Sequence, residues 1–291
     1  MTNRLSMLFL GILIGILIVI LLACQPVPPV STNPVTTTAV TTTVPSSGSD
    51  DTAALQNTLN ASKYLYVNRD YRVDGILTPP AGSKITFGPN GRFTRTSAGN
   101  GGGKAVLLLK NSNITVENPY IVGPNPCYWK YFDTNYTYSQ YNPQLENNHA
   151  ISISGGSGYV ITNPKIRNVW GDAIYLAGNS KNITINNLDA ACLGRSVISN
   201  VGSENVTVNG GKSYGAFWWT FNMEPWGSLF VRNYKINNFT AGWSRGQVVF
   251  SGGPDFNCQV FDVDFTNLVV TDPRGGTNDF SIAACADIMI K

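Results

Sequence analysis

Short runs in which β-branched and aromatic residues alternate with Ser, Thr and Asn recur along most of the chain, each closed by Gly or Asn. That alternation is the signature of half-buried strands. Asn113-Ile-Thr-Val, Asn182-Ile-Thr-Ile and Asn205-Val-Thr-Val share one form, and Tyr159-Val-Ile-Thr and Ser228-Leu-Phe-Val fall in the same frame. Starts at 159, 182, 205 and 228 give a constant step of 23 residues, and self-similarity at a fixed period marks a repeat fold. The same step places Asn163, Asn186 and Asn209 in register. A second strand family keeps nearly the same period: Ala150-Ile-Ser-Ile, Ala173-Ile-Tyr-Leu, Val197-Ile-Ser-Asn, Thr220-Phe-Asn-Met and Val248-Val-Phe-Ser.

Two or three short strands per repeat, with no helical stretch between them, predict an all-β, single-stranded right-handed parallel β-helix of about 23 residues per coil. Ile151, Ile174, Ile198, Phe221 and Val249 are expected to stack as an inward ladder, and the register asparagines as a ladder of amides at a bend. The leucine-rich signature and the longer propeller period are absent, and an antiparallel sandwich would not explain a constant residue identity at a 23-residue step. Asp50 to Leu59 reads as an N-capped helix with Ala54, Leu55 and Leu59 on one face, placed to cover the first coil.

Three segments follow from composition. Residues 1–23 form a secretory signal, with Arg4 ahead of 17 uncharged apolar positions from Met7 to Ala23. Leu21-Leu22-Ala23-Cys24 resembles the lipobox of bacterial lipoproteins, which implies lipid attachment at Cys24 and a membrane-anchored protein facing the exterior or periplasm. Residues 24–49 hold no charge and are rich in Pro, Thr and Ser, a tether without the apolar mass to fold. Residues 50–291 are the β-helix, interrupted by an aromatic insertion at 124–148.

Charged residues make up only 13% of the chain, and 29 glycines with abundant Asn, Ser and Thr solvate it instead, as suits a fold made of turns. A net charge of +3 without a Lys/Arg-rich stretch leaves no footprint for nucleic acid. The single His149 rules out multi-histidine metal sites. Cys127, Cys192, Cys258 and Cys285 permit two disulfides in an exported protein, but a core this large does not require staples, so buried free thiols are the expectation.

The stretch SDDTAALQNTLN, followed by YLYVNRDYRVDGILTPPAGSKITFGPNGRF, resembles the entry module of the pectate lyase superfamily. This family includes polysaccharide lyases, glycoside hydrolases and phage tailspikes. The resemblance spans Asp50 to Phe93 and implies the fold and a polysaccharide partner, while leaving the reaction open. The paired aspartates, G-H-G and R-x-K of polygalacturonases and the D-P-H-E of alginate epimerases are absent, and acids are too sparse to predict the Ca2+ site of the calcium-dependent lyases. No cofactor or metal is therefore expected.

Residues 23 apart become neighbours on adjacent coils, so His149, Asp172, Arg195 and Trp218 are expected to line one edge, with the 24-residue step from Ala173 to Val197 warning that Ser196 takes the place of Arg195. Glu224 follows on an outward phase near Tyr175 and Asn222. Glycoside hydrolysis needs two carboxyls, for which Asp172 and Glu224 are the candidates. A lyase would instead use Arg195, His149 and Tyr175 to neutralise a uronate, move its proton and release the leaving oxygen. Trp129 and Tyr131 in the insertion, with Trp218, Trp219 and Trp226, offer flat surfaces for sugar rings. The expected function is a surface-tethered protein that binds and cleaves a polysaccharide. A non-catalytic adhesive protein and a tailspike-like structural β-helix remain as alternatives. The last residues, Ala286 to Lys291, read as a strand with an open parallel edge, which suggests homo-oligomer contact through the C-terminal coil.

Overall fold

Asparagines in the left-handed region turn the chain at the corners of each coil. In the computed structural model, which describes residues 48–96, 105–127, 142–252, 258–271 and 280–291, Asn113, Asn182, Asn205 and Asn233 have φ of 49–59°. Asn118, Asn163, Asn187, Asn238 and Asn267 have φ of 52–55°. Asn tolerates this region because its short polar side chain bonds locally. The amides then bond from coil to coil, as in Asn205 Nδ2 to Asn182 Oδ1 at 3.1 Å, Asn233 to Asn205 at 2.8 Å and Asn187 to Asn163 at 2.9 Å. The expected signal segment, Cys24, the expected tether up to residue 47, and Trp129 and Tyr131 lie outside the described residues.

Every strand pairs in parallel with its equivalent on the next coil, giving a 13-stranded and a 7-stranded sheet among the described residues. This is the predicted right-handed parallel β-helix. The larger sheet folds at the asparagine bends into two faces; the strand Ser180–Leu193, for example, runs through the bend at Asn187. The third face is the 7-stranded sheet, built from Leu107–Leu109, Ile151–Ser154, Ile174–Ala177, Ile198–Asn200, Phe221–Met223, Val249–Ser251 and Phe280–Ile282. Ile151, Ile174, Ile198, Phe221 and Val249 are register partners, all fully buried, as the second strand family predicts.

The first strand family departs from its predicted frame. Tyr159 pairs with Ile183, not Asn182, and Asn163 bonds Asn187, while Asn186 stacks with Asn209 and Asn237. One added residue explains the shift. Gly155 and Gly156 form the corner of one coil, whereas Gly178, Asn179 and Ser180 fill it on the next, between the partners Ser154 and Ala177 and the partners Ser157 and Lys181. Later, Val206 pairs with Tyr234, so Ser228 falls in a corner and not at a strand start.

Helix α1 (Thr52–Ser62) buries Leu55 and Leu59, one helical turn apart, while Ala54 is exposed, contrary to the predicted face. Asp50 Oδ1 accepts from the Thr52 N–H at 3.1 Å, and Asp51 Oδ2 accepts from the Arg72 N–H at 3.1 Å, tying the helix to a strand of the second face. The cysteines are not free thiols. Cys127 bonds Cys192, and Cys258 bonds Cys285. The first crosslink joins the base of the insertion to a coil corner, where Cys192 holds φ of 61°.

Inside the coils, Tyr234 is fully buried and its hydroxyl has no hydrogen-bond partner, with burial pushing its pKa up. An unmet buried donor costs roughly 1–3 kcal/mol. Tyr234→Phe is therefore expected to raise the stability measured by denaturant unfolding by about 1 kcal/mol; a loss of stability would mean that the hydroxyl is bonded.

Candidate functional site

Two rows of residues run up the edge that precedes the third face. The first contains Asn148, Gly171, Arg195, Trp218 and Gly246, linked by main-chain bonds of 3.0, 3.3, 3.0 and 2.7 Å. The second contains His149, Asp172, Ser196, Trp219 and Gln247, whose position follows from the bonds of Ala150, Ala173, Val197 and Thr220 to the next coil. The predicted alignment thus holds from His149 to Asp172. Arg195 and Trp218 stand one position earlier, because the added corner residue delays the coil, and Ser196 and Trp219 occupy their places. Gly194 prepares this approach: a Cβ there would lie 2.1 Å from the Trp170 carbonyl oxygen.

Asp172 is fully buried, and only Oδ1 of its carboxylate has a hydrogen-bond partner. Oδ1 accepts from the Ser196 N–H at 2.8 Å, while Oδ2 lies 3.2 Å from His149 Nδ1 and 3.7 Å from Arg195 Nη1. Burial opposes its ionisation, but the Arg195 charge, His149 and the Ser196 N–H together hold its pKa below the usual carboxylate range. The Asp172 N–H also donates to His149 Nδ1 at 3.0 Å. Asp172 therefore holds the imidazole through its main chain.

Beyond these rows, the outward positions of the third face are Leu108, Ser152, Tyr175, Ser199, Asn222 and Phe250, register partners on successive coils. The Tyr175 ring stacks flat on His149, with centroids 4.4 Å apart and 5° between the planes. Burial and the charge of Asp172 push the Tyr175 pKa up to about 12. Next along, Ser199 Oγ and Asn222 Oδ1 are buried without hydrogen-bond partners. Asn222 Nδ2 donates to Glu224 Oε2 at 3.3 Å. Glu224 is half-buried; burial raises its pKa, Asn222 and Arg195 oppose this, and the charges of Asp172 and Glu146 add to it.

His149, Asp172, Tyr175, Arg195, Asn222 and Glu224 are therefore one connected group. A cleft of about 180 Å³ opens beside it, lined by Asn147, His149, Ser152, Tyr175, Leu108, Ile76 and Ala105. Trp219 stacks on Phe250 at 4.3 Å and on Trp218 at 5.5 Å, and donates through Nε1 to Gln247 Oε1 at 2.9 Å. Trp226, just past Glu224, is 56% exposed. Sequence reasoning missed Glu146, whose charge reaches both Tyr175 and Glu224, and the buried Ser199. Glu146 had one signal, an acid three residues before the only histidine. Ser199 had none, because an outward serine in a strand is ordinary.

No family model matches the chain, and no curated protein matches it. Among solved structures it is similar to a candidate glycosyl hydrolase from Parabacteroides merdae ATCC 43184, at 12% identity and a TM-score of 0.47, covering 82% of this chain and 94% of that one. It is similar to the Dettilon tailspike protein at 11% identity and a TM-score of 0.31, covering 85% of this chain and 66% of that one. The enzymatically active domain of bacteriophage CBA120 tailspike protein 2 matches at 12% identity and a TM-score of 0.28, covering 76% of this chain and 40% of that one. Likenesses this distant assign neither reaction nor ligand, and the fold rests on the strand register itself.

Proposed function

We propose that the outer row from His149 to Glu224 binds a polysaccharide and hydrolyses its glycosidic bonds. The observation that carries this reading is Glu224, a partly exposed carboxyl one residue past the strand Phe221–Met223, bonded to Asn222 at 3.3 Å, with burial raising its pKa. A carboxyl that keeps its proton to higher pH than an ordinary glutamate is the better placed to donate it to a leaving sugar oxygen. Tyr175, on the same face, supplies a hydrogen bond to a sugar hydroxyl, the exposed Trp226 supplies a stacking surface, and the buried Asn222 holds Glu224. Asp172 has no exposed surface, so its part is to position His149 and Arg195.

Lyase chemistry on a uronate needs a cation for the substrate carboxylate, whereas Arg195 lies against Asp172. Asp172 neutralises the only arginine of the group, which favours a neutral glycan over an acidic one. The two disulfides support the exported reading of the signal segment, since such bonds persist in oxidising compartments. The test is incubation of the protein with neutral and acidic polysaccharides. Hydrolysis predicts new reducing ends without the ultraviolet absorbance of an unsaturated product. That absorbance would sink the hydrolytic reading, and binding without cleavage would leave an adhesive protein.

A further inference from the structure

We infer that the cleft beside His149 is a subsite for an N-acetylated sugar, in which the carbonyl oxygen of the acetamido group accepts from His149 Nε2–H and its methyl group lies against Ile76, Ala105 and Leu108. This rests on polysaccharide binding along the third face and is independent of the hydrolytic step.

The tautomer of His149 is set by Asp172. Nδ1 lies 3.0 Å from the Asp172 main-chain nitrogen and 3.2 Å from Asp172 Oδ2. The two contacts ask opposite things of Nδ1, an acceptor for the N–H and a donor for the carboxylate. The geometry selects the first. The Asp172 N–H is aligned on Nδ1, whereas Oδ2 has no hydrogen-bond partner and so takes no proton from the ring. The Arg195 guanidinium, with Nη1 3.7 Å from Oδ2, supplies the charge that the imidazole does not. In an uncharged imidazole one nitrogen accepts and the other carries the proton. Both contacts with Asp172 use Nδ1, which leaves Nε2–H for the cleft that His149 borders. Tyr175, stacked flat on the ring at 4.4 Å, fixes its plane.

The cleft has two kinds of wall. Ile76, Ala105 and Leu108 make an apolar side, and Asn147, His149, Ser152 and Tyr175 a polar one. Leu108, Ser152 and Tyr175 are register partners, so they stand on successive coils about 4.8 Å apart. A plain hydroxyl would use the polar side and leave the aliphatic side in water. An acetamido group uses both: the methyl meets Leu108 and its neighbours, the N–H faces Ser152 Oγ, and the carbonyl oxygen, which can only accept, meets an Nε2–H that can only donate. A uronate would set a carboxylate against the aliphatic side while Arg195 is held at Asp172. Asn222, which holds Glu224, is three coils past Ser152, about 14 Å along the stack. The subsite therefore receives a sugar remote from the bond that Glu224 would cut.

The test uses the full chain, isotopically labelled at the nitrogens of its single histidine, so that the NMR spectrum holds one pair of ring nitrogens. Above neutral pH, Nε2 is expected to carry the proton; the opposite tautomer would overturn the inference. N-acetylglucosamine or N-acetylgalactosamine is then expected to shift the Nε2–H signal saturably, with responses to glucose, galactose and glucuronic acid at least about tenfold weaker in affinity. No response to either N-acetyl sugar, or an equal response to any of the other three, would overturn the subsite. Leu108→Asn, on the outward side of its strand, is expected to cut the preference to within about threefold while the tautomer stays as it is; a preference kept in full would also overturn it. Hydrolysis is scored separately. A histidine that answers to N-acetyl sugars in a protein that cuts no glycan keeps the subsite and sinks the hydrolytic reading.

Discussion

Replacing Glu224 with glutamine is expected to reduce kcat by about 10²–10⁴-fold, the range typical of losing a proton donor. The amide keeps the shape and the contact with Asn222 but has no proton to give. Its pH profile carries a second signature. The raised pKa keeps Glu224 protonated to higher pH than an ordinary glutamate, so wild-type activity falls as pH rises through that value, and the variant lacks this alkaline limb. The fold should not suffer. A carboxyl with a raised folded-state pKa opposes folding once ionised, so a neutral amide leaves stability at neutral pH unchanged or slightly higher. The comparison of kcat, pH profile and thermal midpoint for the two proteins checks all three. A variant that turns over normally would remove Glu224 from the mechanism.

Asp172→Asn is expected to act on stability first. The substitution takes a buried charge from Arg195 and His149 and weakens the bond from the Ser196 N–H, and breaking a buried pair costs about 3–5 kcal/mol. The pH dependence follows in sign from the lowered pKa of Asp172. Its contribution is complete above the ordinary aspartate value near 3.8 and is lost as pH falls through the depressed folded value. Denaturant melts of both proteins should therefore differ most near neutrality and converge in strong acid. A difference that stays constant down to low pH would mean that Asp172 is not held ionised by its neighbours. Activity loss in this variant should track the displacement of His149 and Arg195, since Asp172 has no surface on which to meet a sugar.

Period and residue type carry the fold in this chain. A second strand family that keeps Ile, Ile, Ile, Phe and Val at nearly one step can only bury those side chains by stacking, and each of them is inside. Asparagine before or after a β-branched run predicts a corner because few residues accept the left-handed region. The single extra residue at Gly178 to Ser180 was harder to place from the first strand family, where a shift by one changes which asparagines meet and moves Arg195 out of line with Asp172. This corner tolerates the insertion because Gly178 and Asn179 face solvent, so the pattern loses phase there and not in the strands.

The site was partly legible for the same reason. His149 and Asp172 lie before the extra corner residue and meet as the spacing requires, Tyr175 and Asn222 take outward phases on the stacked strands, and Glu224 follows just past the strand Phe221–Met223. The partnership between His149 and Tyr175 crosses from one row to the next, a contact that spacing along one row does not reveal. Glu146 comes from a loop without a repeat and so without a phase. The disulfides escaped prediction because the need for a crosslink is local to the corners they fasten, whereas the argument against them concerned the size of the core.

The most direct measurement is the crystal structure of the Glu224→Gln variant soaked with an oligosaccharide that the wild type cleaves. The account predicts sugar rings along the third face from the cleft beside His149 to Trp226, with the amide that replaces Glu224 within hydrogen-bond distance of a glycosidic oxygen. Sugar bound only on one of the asparagine-bounded faces, leaving Tyr175, Asn222 and the replaced Glu224 untouched, would contradict it.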